Sequence, residues 1–313
     1  MERRTRLVKT AADLIGHTPV IELSRVWRGS GRIIAKAEFL QPGGSVKDRA
    51  ARAIITAARA DGRLKPGAPV VEMTSGNMGA GLAVVCATLG HPLVVTMSAG
   101  NSPQRVRMLE ALGAEVILVP QIAGEPGQVT GPDIKAAARL AETIAGERGG
   151  FYVNQFHARE GKAAHEAGTA SELLEVVDGP IDGWTACVGT GCTFLGVARA
   201  LRRANPDVVC AAVEPAGCQV LAGQAVLKPK HLLQGAGYGD VPPMWEPELM
   251  SQSIAVSDDE AMAWKHKLDI EEGLHVGFTA AANVCAAAKL LSSGQLVSNA
   301  TVATVLCDTG LKY

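Results

Sequence analysis

The residues best suited to chemistry in this chain sit in glycine-rich turns, and the first such turn is Pro42-Gly43-Gly44-Ser45-Val46-Lys47-Asp48-Arg49. A lysine stands here at the expected opening of a helix, beside glycines that let a ligand approach the backbone. Helix N-termini favour anions and disfavour cations, so Lys47 is misplaced electrostatically unless its charge is suppressed or used. An amine that can be held uncharged is what Schiff-base formation with an aldehyde requires. The plainer alternative is an exposed first-turn lysine that pairs with Asp48 or a later acid.

Two further turns are suited to anions. Thr74-Ser75-Gly76-Asn77-Met78-Gly79 follows the apolar run Val70 to Met73, and Gly189-Thr190-Gly191-Cys192-Thr193 follows Thr185 to Val188. Hydroxyls and successive backbone N–H groups at a helix N-terminus make a site for a carboxylate or phosphate. Ser75 and Asn77 could instead only cap their helix. A fourth glycine cluster, Gly235, Gly237 and Gly239, lies in a long irregular segment. Two anion-ready turns together with an activated lysine point to a cofactor that carries both an aldehyde and a phosphate, namely pyridoxal 5′-phosphate. Other standard signatures are missing: the Gly189 turn lacks the third glycine of a dinucleotide loop, and no P-loop, G-x-S-x-G or metal-spaced histidine pair occurs.

These turns need elements to hold them, and the chain supplies an alternation. Strand-like runs at 32–40, 69–74, 92–98, 114–120, 151–156, 185–188, 208–213 and 301–307 are separated by helical patterns at 46 onward, 75–90, 102–113, 133–145, 162–177, 192–204 and 278–291. Strands apolar on both faces and separated by helices imply a largely parallel, doubly wound α/β sheet. Ser257 and Glu260 form a capping box for a helix that reaches about Gly273. The stretches 120–132 and 222–247 break the rhythm; the first reads as a surface loop, and the second is long enough to be functional. A change in character near Phe156 marks the best boundary between two α/β halves.

Composition narrows the class of function. Thirty Lys+Arg against 31 Asp+Glu give a net charge of −1, without the footprint of a nucleic-acid binder. The most apolar window, 79–97, is broken by His91-Pro92 and is too short to span a membrane. The basic start of the chain leads into no apolar stretch, so no signal peptide is expected. Seven cysteines, odd in number and without C-x-x-C, read as buried thiols in a reducing cytoplasm.

The set P-G-G-S-V-K-D-R, T-S-G-N-x-G, N-Q-F-H, G-T-G-x-T and H-x-x-Q-G-x-G, in this order, resembles the cysteine synthase and cystathionine β-synthase family of fold-type II pyridoxal-phosphate enzymes. Gly16-His17-Thr18-Pro19-Val20 and Asp308-Thr309-Gly310 extend the resemblance from residue 13 to the end. It implies two doubly wound α/β domains, as in the tryptophan synthase β fold, with the cofactor in the interdomain cleft. Residues 36–156 would form the N-terminal domain, with 1–12 packed on it, and 157–313 the C-terminal domain, with 13–35 crossing over to it. By the same resemblance Lys47 forms the Schiff base, and Asn77 bonds the cofactor's phenolic oxygen. Gly189, Thr190, Gly191, Cys192 and Thr193 hold the phosphate, and Thr309 faces the ring nitrogen unless Asp308 takes that place. Thr74, Ser75, Asn77, Met78 and Gln155 receive the substrate carboxylate, while Gly235 lines the mouth near its amine.

The implied reaction is β-replacement on an activated serine such as O-acetylserine, through an α-aminoacrylate, by sulfide or another small nucleophile, giving L-cysteine or a β-substituted alanine. The alternatives are a β-eliminating lyase or dehydratase and, further off, a non-catalytic role in which the cleft captures a peptide C-terminus. The resemblance also implies a homodimer and a serine acetyltransferase-type partner, with no nucleic acid and no membrane. This chain departs from the family pattern at Met78, where threonine is common, at Tyr238, a small-residue position, and at Phe278-Thr279-Ala280. Among the histidines, only His157 lies near the proposed site; His17, His91, His165, His231, His266 and His275 read as capping or surface groups.

Overall fold

Aliphatic and β-branched runs with few charges become strands buried on both faces, and alanine-rich segments with apolar residues three and four apart become the helices that cover them. A computed structural model of the chain describes residues 7–123 and 129–312. The first six residues and residues 124–128 of the expected surface loop lie outside the described residues.

In chain order the elements are β1 (Val20–Glu22), β2 (Arg32–Ala37), α1 (Lys47–Ala60), β3 (Val70–Met73), α2 (Asn77–Leu89), β4 (Leu93–Ser98), α3 (Pro103–Ala111), β5 (Glu115–Val119), α4 (Gly131–Glu147) and β6 (Phe151–Tyr152). There follow α5 (Arg159–Ala164), α6 (Ser171–Val176), β7 (Gly183–Cys187), α7 (Cys192–Ala204), β8 (Val209–Pro215), β9 (Gln252–Val256), α8 (Asp258–Lys267), α9 (Phe278–Ser292) and β10 (Thr301–Leu306). Two strands, β1 and β9, were not expected from the sequence, and the expected strand at 151–156 shrinks to two residues. The helix expected over 162–177 is divided by a π-helical turn at His165–Ala170, and the helix after Ser257 ends in another at Leu268–Glu272. The Ser257 capping box forms as expected, with Ser257 Oγ accepting from Glu260 N and Glu260 Oε2 accepting from Ser257 N.

The chain divides into two compact units. The first takes the described residues up to Gly16, Gln41–Gly43 and Lys47–Asn154; the second takes His17–Leu40, Gly44–Val46 and the described residues from Gln155 on. A boundary at residue 36 therefore falls inside β2, a strand that belongs wholly to the second unit. In the first unit four parallel strands run β5-β4-β3-β6, and α4 lays Ala141, Ile144 and Ala145 on Val71 and Val94. In the second unit six strands run β1-β2-β10-β7-β8-β9, parallel except for β1.

Alternation along the central strands of the second unit builds two cores. Ile34, Ala303 and Val305 pack with α7, while Ile33, Ala35, Val302 and Leu306 pack with α9. Each Ile, Val or Leu side chain so buried contributes roughly 1.5–3 kcal/mol. The sheet also buries one cation: Lys36 on β2 is fully enclosed, with Nζ 2.7 Å from Glu172 Oε2 and 2.5 Å from Thr18 Oγ1. Glu172 accepts the His17 N–H as well, so this charge cluster fixes the Gly16-His17-Thr18-Pro19 segment to α6 and β2.

Both sheets have a point where strand order reverses. In the first unit β3 leads through α2 to β4 on one side, while β6 lies on its other side. In the second, β7 leads through α7 to β8 on one side, and β10 lies on the other. Ligands of open α/β sheets bind beyond the C-terminal ends of strands at such switch points. The turns at Thr74–Asn77 and Gly189–Thr193 stand at those two places.

Candidate active site

In the first unit Lys47 is the first residue of α1. The buried carboxylate of Asp48 turns back and accepts the Gly43 N–H, bracing the helix opening. Gly81 of α2 lets α1 approach closely, since a Cβ there would lie 3.1 Å from Asp48 Cα. The chain just before Lys47 is held within the second unit, where Val46 N donates to Cys307 O at 2.8 Å and Thr309 N to Gly44 O at 3.3 Å.

The Thr74–Asn77 turn follows β3. Thr74 Oγ1 accepts from Gly76 N at 3.3 Å, and neither Ser75 nor Asn77 is fully buried. Gly76 is the N-cap of α2, whose first turn carries no acidic residue. Arg105 on α3 places Nη1 3.1 Å from both the carbonyl oxygen and the hydroxyl of Ser75. Met78, expected beside the substrate, is buried at 2% exposure.

In the second unit the Gly189–Thr193 turn leads from β7 into α7, again without an acidic residue in the first helical turn. A Cβ on Gly189 would lie 2.1 Å from Gly235 O, so only glycine fits there. Gly191 has φ +87°, a left-handed conformation that glycine adopts without strain. Gly237 N donates to Val188 O, so the fourth glycine cluster rests on this turn. Tyr238 stacks edge to face with Phe156, ring centres 5.7 Å apart, beside Gln155 in the chain. Thr309 follows β10, and its hydroxyl accepts from Leu311 N at 3.2 Å. Asp308 is buried and forms a bridge with Ser45.

Three supporting residues escaped the sequence reading. His165, read as a capping or surface group, is 1% exposed, with Nε2 3.2 Å from Thr193 Oγ1 and Nδ1 2.9 Å from Thr169 Oγ1. The π-turn widens the helix at that point and presents the ring to α7. Asn283 on α9 ties together the two strand ends at the switch point: its Oδ1 accepts from Cys187 N at 2.7 Å, and its Nδ2 donates to Val305 O at 2.9 Å. His231 places Nε2 3.0 Å from Gly237 O and so braces the glycine cluster. None of these has a spacing signal for the site, because the contact that reaches it, to Thr193 Oγ1, Cys187 N, Val305 O or Gly237 O, is distant in sequence or made to a backbone atom.

A phosphate fits the Gly189–Thr193 cradle on physical grounds. The first amides of a helix lack intrahelical partners, two threonine hydroxyls flank them, and side-chain bulk is excluded at Gly189. The described residues contain no cluster of His, Cys, Asp or Glu arranged for a metal ion, and no helix among them is long and apolar enough to cross a membrane.

Comparison with known proteins shows what the chain is similar to as a whole. Residues 11–308 match the family described as pyridoxal-phosphate dependent enzyme. A probable cysteine synthase of Bacillus subtilis (strain 168) is 36% identical, over 98% of this chain and 96% of its own length. The crystal structure of a cysteine synthase from Entamoeba histolytica superposes with a TM-score of 0.90 at 31% identity, covering 100% of this chain and 91% of that one. A hydrogen sulfide-producing enzyme from Fusobacterium nucleatum does so with a TM-score of 0.90 at 29% identity, covering all of both chains.

Proposed function

The chain belongs to the family of pyridoxal-phosphate dependent enzymes, and from that premise we propose that it exchanges the β-substituent of an activated L-serine for a sulfur nucleophile. With O-acetyl-L-serine and hydrogen sulfide the balanced products are L-cysteine and acetate. The observation that carries this reading is the likeness to cysteine synthases along nearly the whole chain. Pyridoxal 5′-phosphate, when bound, withdraws electrons from the substrate Cα and so acidifies its proton.

The side chains then divide the work. Lys47 would hold the cofactor through Nζ, and the same Nζ would take the proton from the substrate Cα. The amides of Gly189–Thr193 hold the phosphate, and Asn77 the phenolic oxygen. Thr74, Ser75, Asn77 and Gln155 bind the substrate carboxylate, with Gly235 near its amine. The hydroxyl of Thr309 accepts from Leu311 N, which leaves its proton to donate to a ring nitrogen. That arrangement suits replacement better than a carboxylate at Asp308 would. The enzyme is expected to work in the cytoplasm as a homodimer, with a serine acetyltransferase-type protein as a possible partner.

Elimination is the second reading, favoured by the full-length likeness to the hydrogen sulfide-producing enzyme. Feeding the holoenzyme O-acetylserine with and without sulfide separates the two. Replacement yields cysteine and acetate in equal amounts with sulfide present; pyruvate and ammonia released as fast without it would overturn the proposal.

A further inference from the structure

We propose that Arg105 is the positioning residue of the carboxylate turn: it fixes Ser75 and supplies the positive charge that draws the substrate's carboxylate to Thr74–Asn77. The inference rests on reading that turn as the carboxylate subsite.

The geometry is local to the first unit. Arg105 Nη1 lies 3.1 Å from Ser75 O and 3.1 Å from Ser75 Oγ. The same nitrogen is 3.6 Å from where a Cβ on Gly76 would stand, which puts the guanidinium beside the N-cap of α2. Arg105 itself lies in the first turn of α3, and neither α2 nor α3 has an acidic residue in its first turn. Two helix N-termini and a guanidinium therefore share one corner of the unit. Each helix dipole alone disfavours a cation there, and a bound anion reverses the sign of the whole arrangement.

The hydrogen bonds add direction to the charge. A serine hydroxyl has one proton and two lone pairs. Because Ser75 Oγ accepts from Arg105, its proton stays available to a carboxylate oxygen. Holding the Ser75 carbonyl with the same guanidinium fixes the turn that presents the following amides. Arg105 is partly buried, so its field is screened less than that of a surface arginine.

The test separates charge recognition from simple support of the fold. Binding of L-serine and of L-serinamide, which lacks the carboxylate, is followed through the cofactor absorbance of the holoenzyme for wild type, Arg105→Gln and Arg105→Lys. Arg105→Gln should weaken L-serine about tenfold and leave L-serinamide within about twofold. Arg105→Lys keeps the charge and should recover part of the loss. In turnover the KM for the amino-acid donor should rise with kcat and the KM for sulfide nearly unchanged. Equal weakening of both ligands, or of neither, overturns the role of Arg105. If Arg105→Gln does not hold cofactor, Arg105→Lys carries the same comparison, with a selective loss of about threefold expected. A wild-type protein that responds to neither ligand would instead overturn the proposed function, and this inference with it.

Discussion

Among single side chains, Lys47 and His165 show what residue type reveals and what it hides. Lys47 stood out because a cation opening a helix beside two glycines is unusual, and Asp48, the acid next to it in the chain, accepts the Gly43 N–H. Lys47→Ala is expected to lower turnover by about a thousandfold or more, with borohydride no longer fixing the cofactor to the protein. His165 could not be read from spacing, because its partner Thr193 lies in another helix and its orientation depends on a π-turn. Replacing it with phenylalanine removes the Thr193 contact. Cofactor affinity in a titration of the apoprotein should fall about three- to tenfold, while Thr169→Val, which loses only the outer bond, should have the smaller effect. Arg105 was hidden for the same reason: an arginine thirty residues downstream of a serine carries no sequence mark of their contact.

The elements transmit these side-chain demands through close backbone approach. Gly189→Ala would put a methyl group 2.1 Å from Gly235 O, so the turn and the glycine cluster would have to separate; the expected result is loss of cofactor binding with the far-ultraviolet circular dichroism nearly unchanged. Asn283→Ala removes bonds to both strand ends at the switch point and should destabilise the second unit by about 1–3 kcal/mol in urea unfolding. In the first unit, Asp133 accepts N–H bonds from Ile122 and Thr130 and a hydroxyl bond from Thr130. The Thr130 hydroxyl, with these amides, holds its carboxyl at about 2, below the usual 3.8. A lowered acid contributes fully above its unfolded value and loses that contribution as pH falls from about 4 to about 2. Asp133→Asn should therefore lower Tm at neutral pH, with the gap closing near pH 2. Most long helices were legible from their periodicity, and the buried strands from their continuous apolar runs. β1, β9 and the π-turns were not: short edge strands and widened turns are set by tertiary partners, which periodicity does not encode.

For the whole molecule, the alternation of strands and helices made the α/β class readable, and the glycine-rich turns marked the ends of strands that matter. How the chain is shared between the units was harder to see, because residues 17–40 and 44–46 join strands far along the chain. The thiols behave as the composition suggested. Burial pushes Cys86 up to about 12 and Cys210 and Cys285 up to about 11, and raises Cys187 and Cys218 as well. At neutral pH these cysteines should resist a thiol reagent in the folded protein, and all seven should react in guanidinium, as counted by absorbance and mapped by mass spectrometry. Rapid reaction of Cys86 without denaturant would contradict this burial.

The position of β10 between β2 and β7 bears on how the protein is made in the cell. A nascent chain emerging from the ribosome carries β2 first and β7 later, yet the strand that must lie between them is translated after both. Until then two apolar strands have unfilled neighbours, the condition that invites wrong pairing and aggregation. The first unit, whose strands all lie within residues 70–152, can close early in translation, whereas the second must wait until β10 has emerged. The interval before that is when a chaperone would have most to protect.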